Sequence, residues 1–287
     1  MSQTIYWNWP LRTENFINLF FMAKRDRERQ EEFSFEDILD ELQSSSNEIE
    51  CGPYTIKELT MHHQRKNLTA GMEPVEAPLR LNKLFNEYII ENVTSTSDFS
   101  EIGDIVDVSE RPYLINLLRK ATLGSEYKEG EVVYMMYDVT DDDFNNIGEK
   151  STSFECGSLV INLEYPSLNK DNRINDLLSD ALKSFKNRRL TDDDYGKITD
   201  IYSLYEIIKY IFSIEKNGET IEFDTISIAN RKKFIDRLPL RYIDIIGDFM
   251  KTVKDHEVKC FTAHNPEKET ETVEMDINTL FSAKNTQ

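Results

Sequence analysis

The chain has 287 residues and a formal net charge of −19. That acid surplus excludes nucleic-acid binding by phosphate neutralisation, which needs an excess of Lys and Arg, and it favours contact with basic protein surfaces. Hydrophobic residues make up 39% and charged residues 30%, a balance that supports a packed core and argues against wholesale disorder.

Cys51, Cys156 and Cys260 lie far apart. An odd number without short spacing does not form a disulfide framework, and synthesis in a reducing cytoplasm is expected. No run of 18 apolar residues occurs, so no membrane span is expected. The opening "MSQTIYWNWPLRTENFINLFFMAKR" is broken by Arg12 and Glu14. Its basic residues follow the apolar part, the wrong order for a signal peptide.

Phe16, Leu19, Phe20 and Ala23 recur at helical spacing and predict a helix from about 12 to 30. "SFEDILDEL" opens with Ser34 as N-cap, and "QSSSNEIECG" reads as a linker. "YTIKELTMHHQRKNL" places Ile56, Leu59 and His63 on one stripe and stops near Gly71. "MEPVEAP" must be extended. "LRLNKLFNEYIIENV" is a clear helix with Leu81, Leu84, Phe85 and Tyr88 on one face, and another helix runs from Pro112 to Gly124.

The middle changes character. "EGEVVYMMYDV" and "STSFECGSLVINLEYP" read as two strands, with "TDDDFNNIGEK" between them. "INDLLSDALKSF" is helical. The next helix turns Ile201, Tyr205, Ile208 and Phe212 inward and starts from a Thr191 or Thr199 cap. Asn217-Gly218 between apolar-bearing arms predicts a hairpin. Two helices flank Pro239, after which Val258, Cys260 and Thr262, then Val273, Met275 and Ile277, alternate as a hairpin over 258–277. The expected fold is α+β, predominantly helical, with a β-containing middle and a C-terminal helix pair plus β-hairpin. Three regions are expected: helical 1–110, mixed 111–190, and helical with a hairpin 191–287.

Candidate chemistry is sparse. In "HEVKCFTAH", His256, Cys260 and His264 share a helix face if the stretch is helical. The alternating pattern makes it a strand, where four residues span roughly 13 Å, too far for one metal. No metal is expected there, and Cys260 reads as a small buried hydrophobe. Setting Asp141, Asp143 and Asn145 as the start of a calcium loop puts Asn146 where Gly belongs and Thr152 where Glu belongs. An acidic solvated turn is the better reading. His62-His63 lacks the Glu of a zinc-protease motif, with one ring expected at the core edge and one in water. No Gly-rich phosphate loop and no nucleophile elbow occur, and no cofactor is expected. The basic runs "AKRDRER" and "KNRR" read as solvated faces. Trp7 and Trp9 read either as a core cap or as an exposed anchor for another chain.

The order "PYTIKELTMHHQRKNL", "PLRLNKLFNEYIIENV", "GKITDIYSLYEIIKYIFSIEKNGETIEF", "FIDRLPLRYIDIIGDFMKTV", "KCFTAHNPEKETETVEMDINTLFS" resembles the baseplate-hub assembly proteins of T4-like contractile-tailed bacteriophages. The likeness is clearest over the last ninety residues, where a Leu-Pro-containing helix pair precedes a Cys-bearing hairpin and a terminal "LF". It is looser in the first half and lacking over 125–190. The single Cys260 near the end departs from a paired-cysteine version that would argue for metal. The resemblance implies a non-enzymatic structural protein of the tail baseplate. Such a protein is made in the host cytoplasm, is located in the virion and binds other tail and baseplate proteins. An assembly chaperone absent from the finished particle is the alternative, and a soluble enzyme a more distant one. Candidate partner contacts are Trp7, Trp9, Leu280 and Phe281. The last two are either core, covered by the 240–255 helix, or a surface for a neighbouring chain.

Overall fold

A computed structural model describes residues 42, 46–70, 75–96, 100–186, 188–268, 270–275 and 280–281. The expected helix over 12–30, the Ser34 cap, Gly71, Ile277 and both tryptophans lie outside them. The chain is α+β, with three antiparallel sheets among the described residues. Residues 47–287 form one compact unit.

The first sheet has the order β1 (Glu48–Cys51), β2 (Tyr54–Lys57), β3 (Val93–Ser95). The expected linker and the start of the expected helix are therefore strands. Tyr54 and Ile56 are buried alternately with their neighbours, a period of two. Ile56, Leu59 and His63 are all buried, but they come from a strand, a connector and a helix, so their helical spacing is coincidental. Helix α1 (Met61–Ala70) begins only after Thr60.

Helix α2 (Ala77–Asn92) accepts Pro78 in its first turn and buries Leu81, Leu84, Phe85 and Tyr88, the expected face. After the short α3 (Ile102–Ile105), α4 (Arg111–Leu123) is buried on nearly every side, which makes it the central helix. It stops at Gly124, whose φ of +83° suits glycine.

Each strand expected in the middle is instead a hairpin. Gly130 (φ +63°) joins β4 (Glu126–Glu129) to β5 (Val132–Met135), and Gly157 (φ +65°) joins β6 (Ser151–Cys156) to β7 (Leu159–Glu164). Helix α5 (Asp141–Asn145) sits between them. Helix α6 (Leu168–Leu182) follows, then α7 (Asp192–Tyr210), which Thr191 caps reciprocally with Asp194. Thr199 is not a cap; its hydroxyl donates to the Tyr195 carbonyl. The expected hairpin at Asn217-Gly218 joins β8 (Ile211–Lys216) to β9 (Glu219–Glu222), with both turn residues at positive φ. Because α7 ends at Tyr210, Phe212 stands on a strand and is exposed rather than inward.

Helices α8 (Ile228–Ile235) and α9 (Leu240–Phe261) flank Pro239 as expected. Helix α9 overruns the expected strand: residues 256–261 are helical, and only β10 (Thr262–His264) and β11 (Thr272–Glu274) form the hairpin. Buried Ile246, Val253 and Cys260 are seven residues apart on one side of α9, while Val258 is exposed. A helical stripe thus outweighs the short alternation around Cys260. The second sheet has the order β11-β10-β5-β4 and the third β6-β7-β8-β9.

Two main cores result. The first gathers Ile56, Tyr88, Leu114, Leu118, Cys260 and Phe281; the second gathers Ile161, Leu178, Ile208, Phe223 and Ile246. Both cross the boundaries expected at 110 and 190, and α9 contributes to both.

Leu280 and Phe281 are fully buried and belong to the first core, the core alternative of the two expected. The Phe281 ring lies 5.4 Å from Tyr88 and 6.1 Å from Phe85, edge to face. Phe281→Ala is expected to cost about 3–5 kcal/mol in urea unfolding with an unchanged m-value. A cost under about 1 kcal/mol would place the ring outside the core.

Candidate functional site

A cleft of 560 Å³ opens where α2, α4, α6, α7 and α9 meet. Its size is that of a ligand pocket, and junctions between packed units are common places for one. Helical spacing builds its walls. Helix α7 contributes Tyr202, Glu206, Lys209 and Tyr210, and α9 contributes Met250, Val253, Lys254 and Glu257, each set falling on one face.

Under the cleft lies Asp171 of α6, with no exposed surface. Its Oδ2 accepts from Asn86 Nδ2 at 2.9 Å, Asn175 Nδ2 at 3.1 Å and Arg111 at 3.2 Å, and its Oδ1 accepts from Lys209 Nζ at 3.2 Å. Lys209 also pairs with Glu206 at 2.6 Å, and Arg111 with Glu257 at 3.5 Å. Two buried cations therefore each bridge the buried carboxylate to a carboxylate at the mouth.

The proton affinities follow from that geometry. Burial disfavours charge on Asp171, but Lys209 and Arg111 outweigh it and hold its carboxyl below the usual range. Burial likewise works against the charges of Lys209 and Arg111, and Asp171 with a mouth carboxylate overcomes it, so both stay cationic. Burial first, then Glu76, push the Tyr202 phenol up to about 12, and burial raises Tyr210 as well. All five groups are moved away from neutrality. General acid–base catalysis wants the opposite. What these five offer is fixed charge and hydrogen bonding.

The residues singled out in the sequence are elsewhere. His256 and Cys260 do share a face of α9, but His256 Nδ1 donates to the Ser109 carbonyl at 3.0 Å and stacks at a tilt on Tyr113, while Cys260 is core. His264 is an exposed residue of β10, paired through its backbone with Met135 and Thr272. Burial raises the Cys260 thiol strongly, which keeps it protonated and inert. No group of three His, Cys, Asp or Glu among the described residues is arranged to hold a metal ion. Asp143 caps α5 and binds Lys259 at 2.6 Å and Tyr137 at 2.9 Å, and Asp141 accepts from the Gly52 amide at 2.6 Å. The acidic turn is thus a helix start tied to β1, β2 and α9. His63 is buried against Glu91 at 2.8 Å, and His62 is exposed. In the second basic run, Arg188 pairs with Asp194 and Lys186 with Glu76.

Sequence reasoning missed the whole Asp171 network. The signal was the stripe Asp171, Asn175, Leu178, Leu182 along α6, where two polar residues occupy core positions. Comparison with protein-family models, with characterised proteins and with solved structures finds no match.

Asp171→Asn leaves Arg111 and Lys209 buried without their shared counter-charge. It is expected to cost about 3–5 kcal/mol in urea unfolding at pH 7. The folded-state pKa lies below the unfolded value, about 3.9, so the stabilisation is present above that value and lost as pH falls. Between pH 6 and pH 3 the wild type should lose more stability than Asp171→Asn. Parallel pH curves would show that the Asp171 pKa is not lowered in the fold.

Proposed function

We propose that this chain works by binding other proteins, as a structural or assembly protein of the baseplate hub of a contractile bacteriophage tail. The observation that carries the binding part is the cleft: its buried charges and phenols are held in one protonation state, which suits holding a partner rather than passing protons. The net charge of −19 favours a basic partner surface. The tail assignment draws its support from the order of elements in the last ninety residues, where the helices flanking Leu238-Pro239 lead into the β10–β11 hairpin. That no helix among the described residues is long and apolar enough to cross a membrane accords with a role among proteins.

The test is co-purification of the tagged full chain with separately produced baseplate-hub proteins of a T4-like phage. A stable complex on size exclusion at micromolar concentration is expected. Failure to retain any hub protein would overturn the tail assignment. Mass spectrometry of purified tails then separates the two forms of the reading: a resident component is found in the particle, and an assembly factor is not.

A further inference from the structure

We propose that the cleft between α7 and α9 receives a basic side chain, Arg or Lys, of a partner protein. The assignment rests on the protein-binding reading above for the source of the cation.

The argument is about which charges a guest can reach. Arg111 and Lys209 have side chains only 7% and 4% exposed, and each is fixed between Asp171 and a mouth carboxylate, Arg111 with Glu257 and Lys209 with Glu206. Their mouth partners differ: Glu257 is 38% exposed and Glu206 is 43% exposed. A molecule entering the cleft therefore meets carboxylate oxygens, while these two cations are enclosed. A carboxylate has about four acceptor directions, and one ion pair leaves the rest available. The walls beneath are apolar and aromatic, with Leu178, Met250 and Val253 beside the Tyr202 and Tyr210 rings. That combination fits an alkyl stem ending in a cation: the stem lies against apolar surface while the head stays at the polar mouth. An anionic guest would find no accessible cation in the cleft but Lys254, which shares the mouth with Glu257 one helical turn away. Lys254 is thus the group an incoming cation competes with. The excess of acid over the whole chain adds long-range attraction for a basic partner.

The test uses the full chain and the tripeptide amide acetyl-Gly-Arg-Gly-amide. The same peptide with citrulline is the neutral isostere, and the one with glutamate is the anionic control. Methyl resonances of Leu178, Met250 and Val253 report occupancy. Saturable shifts with the arginine peptide are expected, with at least about tenfold weaker binding of the citrulline peptide. Glu206→Gln with Glu257→Gln should weaken arginine binding about tenfold or more. Lys254→Gln, on an exposed residue, should strengthen it roughly two- to fivefold. That variant and the peptide comparison on the wild type carry the test if the double variant does not fold. Equal binding of arginine and citrulline peptides, tighter binding of the glutamate peptide, or no shift of these methyls would overturn the assignment. A hub complex that forms while the arginine peptide leaves the cleft untouched also overturns it, with the protein-binding reading intact. Saturable arginine binding without any hub complex supports the cleft assignment and removes the tail reading alone.

Discussion

One buried carboxylate organises this fold. Taking Asp171 out of water costs several kcal/mol, and only donors in good geometry offset that. They come from four helices: Asn86 of α2, Arg111 of α4, Asn175 of α6 itself and Lys209 of α7. Hydrogen-bond lengths of 2.9–3.2 Å leave these helices little freedom to slide. Hydrophobic burial alone tolerates many arrangements of similar packing. A carboxylate that must meet donors from both cores accepts few. Asn86 and Arg111 belong to helices of the first core, and Lys209 to a helix of the second. The network therefore fixes how the two cores meet.

The same constraint shapes the cleft. Arg111 and Lys209 are enclosed, and Glu206 and Glu257 stand at the mouth beside Lys254. The chain buries a third cation differently. Arg119 of α4 is also fully enclosed, but its guanidinium donates to the carbonyls of Gly124 at 2.6 Å and Glu126 at 3.0 Å, and burial lowers its pKa to about 10. There the cation ties the end of α4 to the start of β4 and serves a single loop. At Asp171 each cation has a second partner at the surface, so the buried layer and the exposed layer are electrostatically one object.

Local signals were readable in the sequence and distant ones were not. The α2 stripe, the Thr191 cap of α7 and the Asn217-Gly218 turn all act within a few residues, and each appears in the fold. The glycines at 130 and 157 were passed over because they sit inside β-rich runs, where a turn needs only one residue at positive φ on a tight bend. Alternation around Cys260 misled because α9 draws its stability from packing along a seven-residue spacing set earlier, at Ile246 and Val253. The site was hidden for a different reason. Asn86, Arg111, Asp171 and Lys209 each resemble an ordinary solvated helix residue, and only their meeting in space gives them a role. Leu280 and Phe281 could be read either way from sequence, since a cover for them depends on Phe85 and Tyr88, far back in the chain.

That last contact bears on how the protein comes into being. Tyr88 and Phe85 are synthesised early and Phe281 late, yet they are edge-to-face neighbours in one core. Strand β5 likewise waits for β10 before its sheet is complete. During translation the first core therefore stands open on the side that Phe281 covers, with aromatic surface in contact with water or with a chaperone. The second core closes with residues between Leu79 and Ile246 and is ready sooner. The core that holds the residues made first is thus complete only once Phe281 has been made. Long-range closure of this kind is slow and leaves a window for aggregation. Yield in a cell should follow the speed of that final step more closely than the depth of the native energy well.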